Sequence, residues 1–526
     1  MIRARCSGYG ERMIARGLAL ALLAGLLIAS PAGASSRHGA PSPGADGIGD
    51  RLFPQLGNGG YDAKHYDLAF TYGSSVPQQQ VAGKETIQAR STQSLSRFDL
   101  DFAGDSVESV RVDGRDAGFA VAGEELVITP QHAIKRGARF KVSVRFFSGP
   151  FTPAPDDDLP FGWFTTVDGS VTAGQPDRSH TIYPVNDHPA DKASYTIRLD
   201  VPEGVTAVAN GELRSTSTAG GRTRSVYQMS EPMASELIQL AVGSLDVIQR
   251  GFVDGVRVRD VAPSALAPQR EGALSHTPDH LRWMTERVGR YPFDSYGVLA
   301  ADQNFGYALE TQTLSLHPAF FFAPGVPLSA NQPIMVHELA HQWFGDSVAP
   351  EQWSDVWLNE GHATWYEWLY GAEFFLADQP GYDFVPRIQE AYSHGDQWRK
   401  LYGPVAQPSS NQLFDLFSPN VYDGGAVALY ALRQVIGESA FAKLERRWAQ
   451  QNAGRSVGTA DFIALASSVA GRDLGPFLRN WLYGTKTPAM PGHPDWTVLP
   501  ADTPLSAAKA ASSSAARAIE RTLRKR

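Results

Sequence analysis

The string HELAH at 337–341 constrains this chain more than any other feature. On a helix, residues four apart share a face, so His337 and His341 present two imidazoles to one divalent ion. Glu338 lies beside them, close enough to reach a water on that ion without being a ligand itself. A zinc site built for hydrolysis needs three protein ligands and one open position. The third ligand is expected from a second helix, and WLNEGHATWYEW at 357–368 offers Glu360, nineteen residues after His341. The alternative for Glu360 is an ordinary surface glutamate. IMV before the motif and WFG after it give the first helix an apolar face that would bury it at the floor of a cleft.

The remainder of the chain can build such a cleft. Its 526 residues suffice for two or three domains, and 43% hydrophobic with 19% charged residues is a globular composition, neither disordered nor fibrous. From Tyr61 to Gln249 the pattern is short and β-like: YDLAFTY, KVSVRFF, SYTIRLDV and IQLAVGSLDVI alternate or run apolar between glycine and proline punctuation. This half reads as an antiparallel β-domain over 53–249. After about residue 250 helical periodicity takes over, with helices expected at 277–289, 331–344, 358–373, 424–436, 438–450 and 459–469 and a few strands such as SYGVLAA. Residues 35–52 have linker composition. Residues 491–526 read as a low-complexity basic tail following a second domain over 250–490.

The N-terminus has the layout of a secretory signal over residues 1–34. Arg12 and Arg16 precede an apolar run, Leu18 to Ala29, too short to span a bilayer comfortably, and Ala32-Gly33-Ala34 offers a small-x-small cleavage pattern. An uncleaved anchor helix is the alternative. Cys6, the single cysteine, would leave with the signal, so export implies no disulfide framework. The protein is thus expected to be secreted, with no integral membrane segment after cleavage.

Residues 1–34 carry +3 and residues 501–526 carry +4, so a formal net charge of −8 leaves −15 for residues 35–500. An acidic body argues against a nucleic-acid partner. The basic tail (Arg517, Arg521, Arg524, Lys525, Arg526) is expected to be a solvated terminus. Asp156-Asp157-Asp158 is expected to be a solvated loop, not a calcium site, for want of further ligands at proper spacing.

HELAHQWFGD and WLNEG closely resemble the aminopeptidase N and leukotriene hydrolase family of gluzincin metallopeptidases, in a short bacterial secreted form. The likeness extends to GNGGYDAKHYDL (58–69), YPVNDHPADKASY (183–195), YPFDSYG (291–297), ALETQT (308–313), VYDGGA (421–426) and DFIALASSVAGRDLGPFLRNWLYG (461–484), covering about residues 53 to 488. The resemblance implies an α+β multidomain fold: a saddle-like N-terminal antiparallel β-domain, then a thermolysin-like α/β catalytic domain, without the long C-terminal helical domain of many members. It implies one Zn2+ ion on His337, His341 and Glu360, which cobalt or manganese could replace, and Glu338 as general base.

The resemblance also assigns roles outside the zinc motif. Glu310 matches the glutamate that grips a substrate's α-ammonium group, although Thr311 stands where the family has asparagine. Gln175 is placed beside the same amine, with a loop glutamine as its alternative. Tyr422 in VYDGG is assigned to the tetrahedral intermediate, with a core tyrosine as its alternative. His362 replaces an aromatic and is expected to pack or face solvent, not to ligate. The implied activity is that of a secreted zinc aminopeptidase, a monomer acting on peptides with a free N-terminus. A thermolysin-type zinc endopeptidase, a non-peptide hydrolase and a catalytically silent binding homologue are the competing readings.

Overall fold

The computed structural model describes residues 40–73, 80–149, 160–167, 169–377 and 379–503. The signal-like segment, Cys6, Asp156 to Asp158 and the basic residues of the tail lie outside them. Among the described residues no helix is long and apolar enough to cross a membrane.

Alternating patterns such as Val81–Ser91 and Arg139–Ser148 send every second side chain inward, and they form the middle of an eight-stranded sheet. Its order is Glu212–Ala219, Arg222–Met233, Ala193–Pro202, Tyr61–Thr71, Val81–Ser91, Arg139–Ser148, Ser106–Val112 and Arg115–Asp116. The pairing is antiparallel with one exception at the centre. Tyr61–Thr71 and Ala193–Pro202 run parallel, with Tyr66 opposite Tyr195. They are more than a hundred residues apart in sequence, so no hairpin fixes their direction, and stacked buried tyrosines (5.1 Å between ring centroids) join them instead. Two four-stranded sheets complete this half.

The hairpin Leu245–Val253 and Val256–Pro263 starts a five-stranded sheet with Val298–Ala301, Ser315–Pro318 and Ser295–Tyr296. That hairpin straddles residues 249 and 250, where composition changes. Helices then follow at Thr277–Val288, Leu328–Ala340, Trp357–Phe375, Pro419–Ile436, Glu438–Gln451 and Thr459–Ala470. Four helices of eight to ten residues were not among those expected from the sequence: Ala267–Leu274, Phe384–Ser393, Gly395–Tyr402 and Gly475–Tyr483.

Residues 40–52 are not a flexible linker. Ser42–Pro43 adds a strand beside Leu95–Asp101. The buried Asp50 carboxylate accepts from the amides of Leu52 (2.7 Å), Phe53 (3.1 Å) and, 303 residues away, Trp353 (2.7 Å), and it lies 3.1 Å from His188 Nε2. A single carboxylate satisfying four donors ties this segment to both halves of the molecule. The described start of the tail is packed too. Trp496 is buried between His493 (4.0 Å) and Tyr430 (5.9 Å), and the Leu499 amide donates to Ser393.

Candidate metal centre

Two helices supply the candidate ligands. Leu328–Ala340 carries His337 near its end, and His341 keeps helical geometry as its cap. The helix stops at Ala340, earlier than its periodicity suggests, because the chain turns at Trp343–Gly345 and brings the Phe344 carbonyl to 3.1 Å from His341 Nδ1. Glu360 lies in the first turn of Trp357–Phe375. All three side chains are buried.

The donor set fits zinc in its spacing as well as its chemistry. Glu360 Oε2 lies 3.3 Å from His337 Nε2 and 3.4 Å from His341 Nε2. A tetrahedral ion with bonds of about 2.0–2.2 Å has ligand-to-ligand edges of about 3.3–3.6 Å. Each imidazole is oriented from behind: His337 Nδ1 is 3.1 Å from Glu367 Oε2, while His341 Nδ1 faces the Phe344 carbonyl. Such partners fix the tautomer and leave Nε2 to bind metal. Burial opposes ionisation of Glu360, but the facing imidazoles overcome it and hold the carboxyl down at about 2.

Glu338 is buried beside the ligands and makes no hydrogen bond with either imidazole. Burial pushes its carboxyl up to about 8 against the pull of His337 and His341. Glu310 is brought to the same cavity by the segment before Ser315–Pro318. Gln175 Nε2 donates to Glu310 Oε1 at 2.7 Å across 135 residues of sequence. The amide hydrogens of Gln175 are thereby turned to the carboxylate, leaving its carbonyl and the second Glu310 oxygen as acceptors. Thr311 is fully buried, with its hydroxyl 2.5 Å from the Leu314 carbonyl and 3.1 Å from Gln239 Oε1. It is consumed within the protein, so its difference from asparagine does not reach the Glu310 carboxylate.

Tyr422 sits on Pro419–Ile436 with its ring stacked on His337 at 5.9 Å and 14°. Burial, then the negative charges of Glu360, Glu310 and Glu338, hold its phenol well above 10, so the hydroxyl remains a donor. His362 points away from the metal. It is buried against Phe344 (4.5 Å), with Nδ1 2.7 Å from the Leu358 carbonyl and Nε2 3.3 Å from Glu445.

Two supporting residues escaped the sequence reading. Glu367 lies seven residues after Glu360, two helical turns along the same face, and that spacing is a usable signal. Gln342 follows His341 directly and carries no such signal. Its Nε2 donates to the Glu310 carbonyl (3.0 Å), while its Oε1 accepts from the Thr313 amide (2.8 Å) and the Tyr291 hydroxyl (3.1 Å). Thr313 is held at a left-handed φ of 68°, a strained geometry for a β-branched residue. Gln342 thus staples the segment bearing Glu310 to the metal helix.

Residues 273–481 match the Peptidase family M1 domain. Aminopeptidase M1 of Arabidopsis thaliana is 26% identical over 320 residues, 59% of this chain and 36% of that protein. Leukotriene A-4 hydrolase of Xenopus laevis is 25% identical, over 76% of this chain and 67% of its own. The chain therefore spans only about a third of the plant relative's length. The crystal structure of an M1 zinc metallopeptidase from Deinococcus radiodurans superposes with a TM-score of 0.74 at 27% identity, covering 85% of this chain and 99% of that one. The ligand geometry and the N-terminal sheets agree with these relatives: residues 273–481 match a Peptidase family M1 domain, and the fold as a whole is similar to that of an M1 zinc metallopeptidase.

Proposed function

We propose that the protein is an aminopeptidase that removes the first residue from peptides with a free N-terminus, and that it is secreted. The observation that carries the reading is the Gln175–Glu310 pair, an acceptor-rich cation clamp beside the His337, His341 and Glu360 triad. Secretion is supported by the charged, apolar and small-residue order of residues 1–34.

Zinc bound to the triad supplies a Lewis acid for the scissile carbonyl and for a water. Glu338 takes the proton from the attacking water and passes it to the departing amine. The Tyr422 hydroxyl donates to the oxygen on which charge develops. Glu310 and the Gln175 carbonyl accept from the substrate's α-ammonium, so only the first peptide bond comes opposite Glu338.

Aminoacyl-naphthylamides and N-acetylated peptides, assayed with and without chelator, test this reading. Turnover of free-amine substrates that chelator abolishes and Glu310→Ala impairs is the expected result. Cleavage of blocked peptides that is equal or better would instead identify an endopeptidase.

A further inference from the structure

The two members of the amine clamp come from different halves of the molecule, and a third segment gauges the distance between them. In one of the four-stranded sheets Leu240–Gly243 lies between Ser170–Ala173 and Thr206–Ala209 and runs antiparallel to both. The two flanking strands therefore run parallel to each other, and the residues that follow them emerge at the same edge. One continuation leads through Gly174 to Gln175; the other begins with Asn210. The segment 235–239 enters the central strand at that edge, between the two.

Both continuations are bonded to this segment. The Ser179 hydroxyl donates to the Ser235 carbonyl (2.8 Å), and the Leu240 amide donates to Thr172 Oγ1 (2.8 Å). A methyl group built on Gly174 would fall 2.8 Å from the Glu236 carbonyl oxygen, so the chain before Gln175 lies directly against the segment. On the other side Asn210 is fully buried, with both ends of its amide engaged. Its oxygen accepts from the Gln239 amide (2.6 Å), and its Nδ2 donates to the carbonyls of Leu237 (2.9 Å) and Gln312 (2.7 Å). Gln312 stands two residues beyond Glu310. Two neighbouring bonds repeat the connection: Thr311 Oγ1 donates to Gln239 Oε1 at 3.1 Å, and the Gly211 amide donates to Thr313 Oγ1 at 2.7 Å. Gln342 ties the Glu310 loop to the metal helix, whereas Asn210 ties it to the half that carries Gln175.

We propose that Asn210 is a positioning residue for the substrate's α-ammonium group: by joining residues 237–239 to Gln312, it sets Glu310 against Gln175. It acts through the backbone on either side of the clamp, and the inference rests on the aminopeptidase reading, which supplies the clamp. An amide that donates to two buried carbonyls cannot be replaced by an acceptor without leaving both unsatisfied. Asn210→Asp keeps the side chain's shape and puts an oxygen where Nδ2 donates. A negative charge added there would by itself attract an ammonium group. Weaker amine binding in this variant therefore reports displacement of the clamp.

The test measures two ligands by calorimetry on the zinc-loaded full chain: alanine hydroxamate and propionohydroxamate, which differ only in the α-amino group. The parent is expected to bind the amino compound at least about thirtyfold more tightly, and Asn210→Asp to cut that preference about tenfold or more. Affinity for propionohydroxamate and zinc content should be unchanged, which a general loosening of the fold would not allow. If Asn210→Asp does not fold, Gln239→Leu carries the test. It removes the Thr311 bond to the same segment and should lower the preference in the same direction. A preference that survives intact in the folded variant, or equal weakening of both ligands, overturns this inference alone. A parent without any preference would instead overturn the amine clamp and this inference together.

Discussion

Gly361 and Gly425 face each other where the helices Trp357–Phe375 and Pro419–Ile436 cross. A methyl group built on Gly425 falls 2.8 Å from the Gly361 Cα, and one on Gly361 falls 3.0 Å from the Gly425 Cα. Glu360 and Tyr422 flank this contact, so the missing side chains set the distance between a metal ligand and the phenol. Gly425→Ala is expected to push the helices apart, costing about 1–3 kcal/mol of stability. A displacement approaching 1 Å at the site lowers turnover by roughly a hundredfold. Thermal melts and kcat measure the two effects, and an unchanged kcat would contradict the geometric role of the pair.

Gln175 should matter for the substrate's amine and not for the metal. Gln175→Leu removes one acceptor and leaves Glu310 Oε1 without its donor. The expected loss is about 1–3 kcal/mol in kcat/KM for free-amine substrates, with zinc content unchanged. Equal loss on N-acetylated substrates would show that the residue acts otherwise.

Glu367 should matter for the metal. Replacing it with alanine leaves His337 Nδ1 without the partner that fixes its ring. Zinc affinity, measured by competition with a chromogenic chelator, is expected to fall about 10- to 100-fold. Retention of parental affinity would mean that packing alone orients His337.

Glu85 tests the pH dependence of stability. It sits fully buried in the middle of the eight-stranded sheet, and neither carboxyl oxygen has a hydrogen-bond partner among the described residues. Burial raises its pKa well above the ordinary 4.5. Below the unfolded-state pKa both states are protonated and nothing is lost. As pH rises past that value the unfolded chain releases a proton that the folded one retains, so stability falls by about 1.4 kcal/mol per pH unit until the folded-state pKa is reached. Glu85→Gln should therefore leave the melting temperature unchanged near pH 4 and raise it at pH 8. A variant that melts lower at pH 8 would refute this account.

The grouping of His337, His341 and Glu360 was legible because a helix imposes a fixed four-residue repeat on the two histidines, and a second helical motif supplied the glutamate. The periodic helices were legible for the same reason. Short helices such as Gly395–Tyr402, two turns long and bounded by Gly395 and Gly403, were not picked out. The packed segment at 40–52 was also hidden. Its glycines and prolines read as a linker, and only Asp50, by meeting Trp353 and His188, shows that it is anchored.

Local sequence thus determined which residues could hold a metal, because the distances involved are set by covalent and helical geometry. It did not determine what stands beside the metal. Gln175 and Glu310 are 135 residues apart, Glu360 and Tyr422 belong to helices joined through long connections, and Gln342 acts on a loop that precedes it by some thirty residues. Their positions follow from sheet register, from two glycines at a helix crossing and from hydrogen bonds between distant segments. Those are properties of the packed chain, and only the tertiary structure could decide them.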